Sequence, residues 1–272
     1  MSNNAQISAL QCGVINNSSS SNAIGIVGGS SLNALSLGTV SSTWNNGSNI
    51  SNGGSVSSTT KVIQGITSSC SPPVPVAPTY SNCVADPGGS SNSFTAGPAS
   101  ASGTVCYQAL TVGANGSKVT LNPGTYVITT GALHFESGSG GHSNLGGNGV
   151  FFYLTGTASL LVDNGANINL VSGGSPLSSG GTAPTLGAYD GILVYQDTND
   201  SASMSIQGGS NSYLSGGLFL PSAPITLGNG SSTTFNTSIV AQTLTMNGGA
   251  ILNAVSTSNL GTLNISVSKI VQ

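Results

Sequence analysis

Gly149-Val150-Phe151-Phe152-Tyr153-Leu154 opens a stretch that passes an Asn164-Gly165 turn and ends in the alternating run Ala166-Asn167-Ile168-Asn169-Leu170. The same opening returns as Gly191-Ile192-Leu193-Val194-Tyr195-Gln196, Gly217-Leu218-Phe219-Leu220-Pro221 and Ser238-Ile239-Val240-Ala241-Gln242. Each is followed by a second, alternating run, such as Ser203-Met204-Ser205-Ile206 or Thr243-Leu244-Thr245-Met246, and then by a Gly/Asn turn and a third short run. Alternation places one face inward and one outward, so these are half-buried strands. Three strands per unit, with units starting at 191, 217 and 238, predict an all-β fold, a single-stranded parallel β-helix or solenoid. A β-sandwich needs antiparallel hairpins and gives no reason for the repeat. No helix is expected.

Working outward, regular coils extend back to Ala109-Leu110-Thr111-Val112. Ala5 to Leu10, Ala23 to Val27 and Leu32 to Leu37 read as the first one or two turns of the same stack. Between them, residues from about Thr43 to Ser102 are Pro-containing and strand-poor, a long excursion from a single domain spanning 1–272. A second loop spans Ser172 to Ala188, and the tail from Leu263 to Val271 is placed to cover or extend an open edge.

Composition agrees with stacked ladders. Forty glycines supply turns, while three lysines and six acids leave almost no charge in 272 residues. Mean hydropathy of +0.19 argues against disorder. Lys61, Lys118 and Lys269 are the only basic residues, too few to neutralise phosphates, so nucleic acid is excluded as a partner. No window approaches the ~20 apolar residues of a membrane span.

Cys12, Cys70, Cys83 and Cys106 lack the CxxC spacing of zinc sites, and their even number points to two disulfides in an exported protein. Cys70 with Cys83 is the favoured pair, because they flank the Pro-rich run Ser71 to Pro78.

Candidate chemistry is sparse. His134 alternates with Glu136, and with His142 they form the best polar cluster, without a further nameable metal ligand. Asp197 and Asp200 fit a turn that can hold calcium, although Asp also favours turns for its own hydrogen bonding; Asp86, Asp163 and Asp190 read as turn residues. Glycoside hydrolysis needs two facing carboxyls, and six isolated acids show no such pair. No Gly-x-Ser-x-Gly elbow stands with a His and Asp partner. No catalytic residue, cofactor or metal is assigned. Trp44 and Tyr80 are the aromatics placed to stack on sugars, with burial against the flank as the simpler role.

Cys106-Tyr107-Gln108-Ala109-Leu110-Thr111-Val112 and Val119-Thr120-Leu121-Asn122-Pro123-Gly124-Thr125-Tyr126-Val127-Ile128, with the later openings in the same order, resemble the C-terminal domain of TadG-like proteins of Flp/Tad pilus assembly. Cys12-Gly13-Val14-Ile15-Asn16-Asn17-Ser18-Ser19-Ser20 is similar to that domain's start. The resemblance implies a right-handed coil and an extracellular, cell-surface or periplasmic domain held to the membrane by an N-terminal anchor. It also implies pilus-assembly or other envelope proteins as partners, and no catalytic residues. Surface glycans are the alternative ligand of an adhesin, and the β-helix ends offer strands for self-association. A polysaccharide lyase or hydrolase and an ice-binding face are lesser readings; no Thr-x-Thr spacing recurs coil after coil.

Overall fold

Strands form where the sequence alternates or runs apolar between Gly, Asn and Ser. The computed structural model describes residues 1–2, 4–16, 25–39, 55–58, 62–64, 74–87, 94–100, 103–113, 119–137, 144–207, 212–228 and 234–253. The first strands are β1 (Gln6–Asn16), β2 (Ser31–Thr39), β3 (Ser55–Ser58), β4 (Val62–Gln64) and β5 (Phe94–Ala96). Three of these fall inside the stretch expected to be strand-poor. Four three-stranded coils follow: β6 (Thr104–Tyr107), β7 (Leu110–Val112), β8 (Val119–Leu121); β9 (Gly124–Ile128), β10 (Ala132–Phe135), β11 (Asn144–Asn148); β12 (Val150–Leu154), β13 (Ser159–Val162), β14 (Asn167–Val171); β15 (Ile192–Gln196), β16 (Met204–Ile206), β17 (Tyr213–Ser215). In the last two coils one long strand turns the first corner: β18 (Gly217–Leu227) before β19 (Thr234–Asn236), and β20 (Ile239–Met246) before β21 (Ile251–Asn253).

The pairings between these strands are parallel, and equivalent residues stack coil on coil. The chain is an all-β parallel solenoid. On the second face the inward ladder is Val112, Phe135, Val162, Ile206, Leu227 and Met246, each in register with the next. All six are buried. On the first face Tyr126, Phe152, Val194 and Leu218 form the matching ladder. Phe152 sits between rings of both faces, 5.2 Å from Tyr126 and 6.4 Å, edge-on, from Phe135. Burial of such side chains contributes about 1.5–3 kcal/mol each.

Two glycines show why the repeat needs them. Gly147 stacks between Leu121 and Leu170 on the third face, where an added Cβ would meet Leu121 and Val150 carbons at 2.8 Å. Gly149 turns the corner into the next coil at φ 74°, a left-handed conformation that side-chain-bearing residues rarely adopt.

Coil order departs from chain order. Gln6, Ile7 and Ser8 pair with Ile251, Leu252 and Asn253, and the Ser2 and Gln6 amides donate to the Met246 and Ala250 carbonyls. β2 then stacks on β1, and β3 and β4 on β2. The N-terminal turns therefore extend the stack beyond its C-terminal coil; they do not precede the coil at 104, as reading along the chain suggests. The reason is edge chemistry: without β1, β21 would present unpaired amides and carbonyls and would uncover Leu252, which is buried here. From β3 the chain must return along the whole stack to β5. The ten strands of that face run β5, β8, β11, β14, β17, β19, β21, β1, β2, β3, which spans about 43 Å at ~4.8 Å per step. The residues between Gln64 and Phe94 reach roughly twice that distance when extended.

Tyr126 is fully buried and its hydroxyl donates to the Asn122 carbonyl at 2.6 Å. Burial, with Tyr107 nearby, holds its phenol far above the usual tyrosine range. A raised folded pKa leaves its stabilisation intact below about pH 10 and loses it as pH rises further, because the unfolded chain ionises first. Stability should fall above pH ~10, and Tyr126→Phe should make that fall shallower by about 1.4 kcal/mol per pH unit in denaturant titrations.

Candidate functional site

Two outward surfaces carry the side chains that do not build the interior. On the first face the outward row is Cys106, Val127, Tyr153, Tyr195, Phe219 and Val240. Five of these six are apolar or aromatic and buried, so this face is dry on both sides, with Val240 partly buried at its end. Two segments cover it. The loop between β14 and β15 lays Leu186 and Tyr189 against the row, with Tyr189 stacked on Phe151 at 4.3 Å and 13°. The Pro-rich segment from Val74 onward runs beside it: the Tyr189 hydroxyl donates to the Val76 carbonyl at 3.0 Å, and Tyr80 lies near Tyr153. Cys83 then bonds Cys106, and Val84 bridges Tyr107 at the solenoid's first edge. The contacts run from the loop between the third and fourth coils, past the third coil, to the first, as a connector returning along the stack requires. Proline suits it, since an extended strap without ladder partners wastes no amide donors.

The Cys83–Cys106 bond replaces the expected Cys70–Cys83 pair. Loop spacing favoured the shorter closure, but Val84 joins the edge of β6 and so brings Cys83 over Cys106. Cys70 and Trp44 lie outside the described residues, as does the side chain of Cys12. The disulfide indicates an oxidising, non-cytoplasmic compartment. No helix among the described residues is long and apolar enough to cross a membrane.

On the second face the outward row is Thr111, His134, Leu161, Ser205, Thr226 and Thr245. The His134 ring is held from both sides, Nδ1 3.6 Å from Glu136 Oε1 and Nε2 2.9 Å from Asp163 Oδ1. The Thr111 amide and hydroxyl donate to the two Asp86 carboxylate oxygens at 3.0 and 2.6 Å. The structure thus joins His134 to Glu136, as alternation predicts, and adds Asp163, which the register of Phe135 with Val162 places one coil up. His142 lies outside the described residues, so the expected three-residue cluster is not seen as such. Among the described residues, no three His, Cys, Asp or Glu side chains are arranged to hold a metal ion.

The turn after β15 holds Asp197 and Asp200. Asp197 accepts from the Asn199 backbone amide at 2.9 Å and from the Tyr153 hydroxyl at 2.8 Å, and these bonds, the first above all, keep its carboxyl below the usual range. Burial, reinforced by Asp197, pushes the Tyr153 phenol well above its ordinary value. Asp200 is buried, with Oδ1 accepting from the Ala202 amide at 2.9 Å. Asp190 accepts from the Leu186 amide at 2.5 Å and so shapes the covering loop. Every acid in the chain is therefore tied to a hydrogen-bond donor or to His134.

Neither family models, curated proteins nor solved structures match the chain.

The covered face had a sequence signal that strand alternation does not use. Val150 to Leu154 and Ile192 to Tyr195 are apolar without interruption, the pattern of strands buried on both faces. If the disulfide fastens the strap, Cys83→Ser with Cys106→Ser should lose about 2–4 kcal/mol of stability and open the segment from Val74 to Asp86 to limited proteolysis. Unchanged stability and unchanged cleavage would show that the strap is held without it.

Proposed function

We propose that this chain is a noncatalytic scaffold of the bacterial cell surface, extracellular or periplasmic, acting in assembly, anchoring or adhesion. The observation that carries the reading is the use made of the acids. Asp86, Glu136, Asp163, Asp190, Asp197 and Asp200 all serve turns, strap or loop contacts, or His134. These six are all the acids of the chain, so a facing pair of the kind that cleaves glycosidic bonds would have to be drawn from carboxyls already engaged in these contacts. The disulfide supports placement outside the cytoplasm, and the strapped, charge-poor stack suits a rigid spacer. The resemblance to the C-terminal domain of TadG-like proteins points to pilus-assembly partners, with membrane attachment through an N-terminal anchor.

Glycan adhesion is the second reading, favoured by the uncharged outward ladder of Ser205, Thr226 and Thr245. It does not draw on the aromatic row, because Tyr153, Tyr195 and Phe219 are covered.

A tagged copy expressed in the native cell should copurify with pilus components, and its deletion should alter piliation. Normal piliation after deletion, together with a positive glycan screen, would move the assignment to adhesion. Turnover of acidic or neutral polysaccharides, with or without calcium, would overturn the noncatalytic reading.

A further inference from the structure

The last residue of β15 and the turn that follows it each hold a buried side-chain oxygen without a hydrogen-bond donor. Gln196 and Asp200 are 0% and 1% exposed. Both grip Ala202: the Gln196 amide nitrogen donates to its carbonyl at 2.8 Å, and Asp200 Oδ1 accepts from its amide at 2.9 Å. The Gln196 nitrogen also reaches the Ala158 carbonyl at 3.4 Å, in the coil below. The other halves of the two groups, Gln196 Oε1 and Asp200 Oδ2, have no donor. Gln196 is odd on sequence grounds as well, since it ends a strand that is otherwise apolar and buried.

Two buried acceptors within five residues call for a donor or a cation. Charge decides between them. Asp197 and Asp200 bring two carboxylates into one turn, Arg is absent from the chain, and no lysine falls among the described residues. Water can donate to both oxygens but leaves a buried carboxylate without countercharge, an unfavourable arrangement in a dry interior. A hard cation supplies the charge and prefers oxygens alone.

We propose that the turn of residues 196–202 binds a divalent cation of the calcium type, with Asp200 Oδ2 and Gln196 Oε1 as side-chain ligands and backbone carbonyls or water completing its shell. With one charged ligand the site is weak, in the range of about 10⁻⁴–10⁻³ M that serves extracellular modules. Its role is to lock the turn that carries Asp197 against Tyr153.

The test uses the full chain after treatment with a chelator. Calcium at about 1–10 mM should raise the melting temperature. Terbium should show luminescence sensitised by tyrosine, because the Tyr153 hydroxyl sits 2.8 Å from Asp197, three residues from Asp200; excess calcium should quench it. Asp200→Asn replaces Oδ2 with a neutral amide, so the chelated variant should melt no lower than the chelated wild type. Its calcium affinity should fall by at least about tenfold. Absence of a calcium shift and of terbium emission in the wild type, or an Asp200→Asn response equal to the wild type, would overturn the proposal and assign the two oxygens to water.

Discussion

The pairing of Gln6, Ile7 and Ser8 with Ile251, Leu252 and Asn253 is the constraint on which the remaining architecture depends. A solenoid has two open ends, each a row of unpaired backbone groups over an apolar core. Here the N-terminal turns cover the end that the last coil leaves. Once the chain starts at that end, it must travel back along the stack before the regular coils begin. The Pro-rich segment is the result of that demand, and the Cys83–Cys106 bond fixes it where the return is complete.

The return path changes the chemistry of one face. A solenoid face open to water alternates apolar and polar residues, as Thr111 to Thr245 do on the second face. The first face lies beneath the strap and the loop carrying Leu186 and Tyr189, so it buries Phe151, Tyr153, Tyr195 and Phe219 outward as well as Phe152 and Leu218 inward. The fold thus has two apolar layers sharing one sheet. Polar groups are used sparingly, at the points where loop, strap and turns meet that sheet.

Much of this was legible from residues alone. The recurring openings at Gly149, Gly191 and Gly217 define the coil length, and alternation in Ser203 to Ile206 and Thr243 to Met246 identifies the half-open face. Coil order was not legible, because β1 has the same alternation wherever it stacks, and only the pairing with β21 distinguishes the two ends. The disulfide departs from the expected Cys70–Cys83 pair for a related reason: loop length is local, whereas the approach of Cys83 to Cys106 follows from the return path. At the polar cluster, His134 and Glu136 were visible as an alternating pair, but Asp163 comes from the neighbouring coil and requires the register. Gln196 carried no signal beyond its polarity at the end of an apolar strand.

The most direct measurement is a designed cross-link between the N-terminal strand and the last described coil. Gln6 and Ile251 are register partners on neighbouring parallel strands, at a spacing of about 4.8 Å that a disulfide can bridge. Under mild oxidation, Gln6→Cys with Ile251→Cys should give the linked peptide pair by mass spectrometry in a monomeric protein. Failure to form the link, or its formation only between molecules, would contradict the closure of the N-terminal turns onto the last coil.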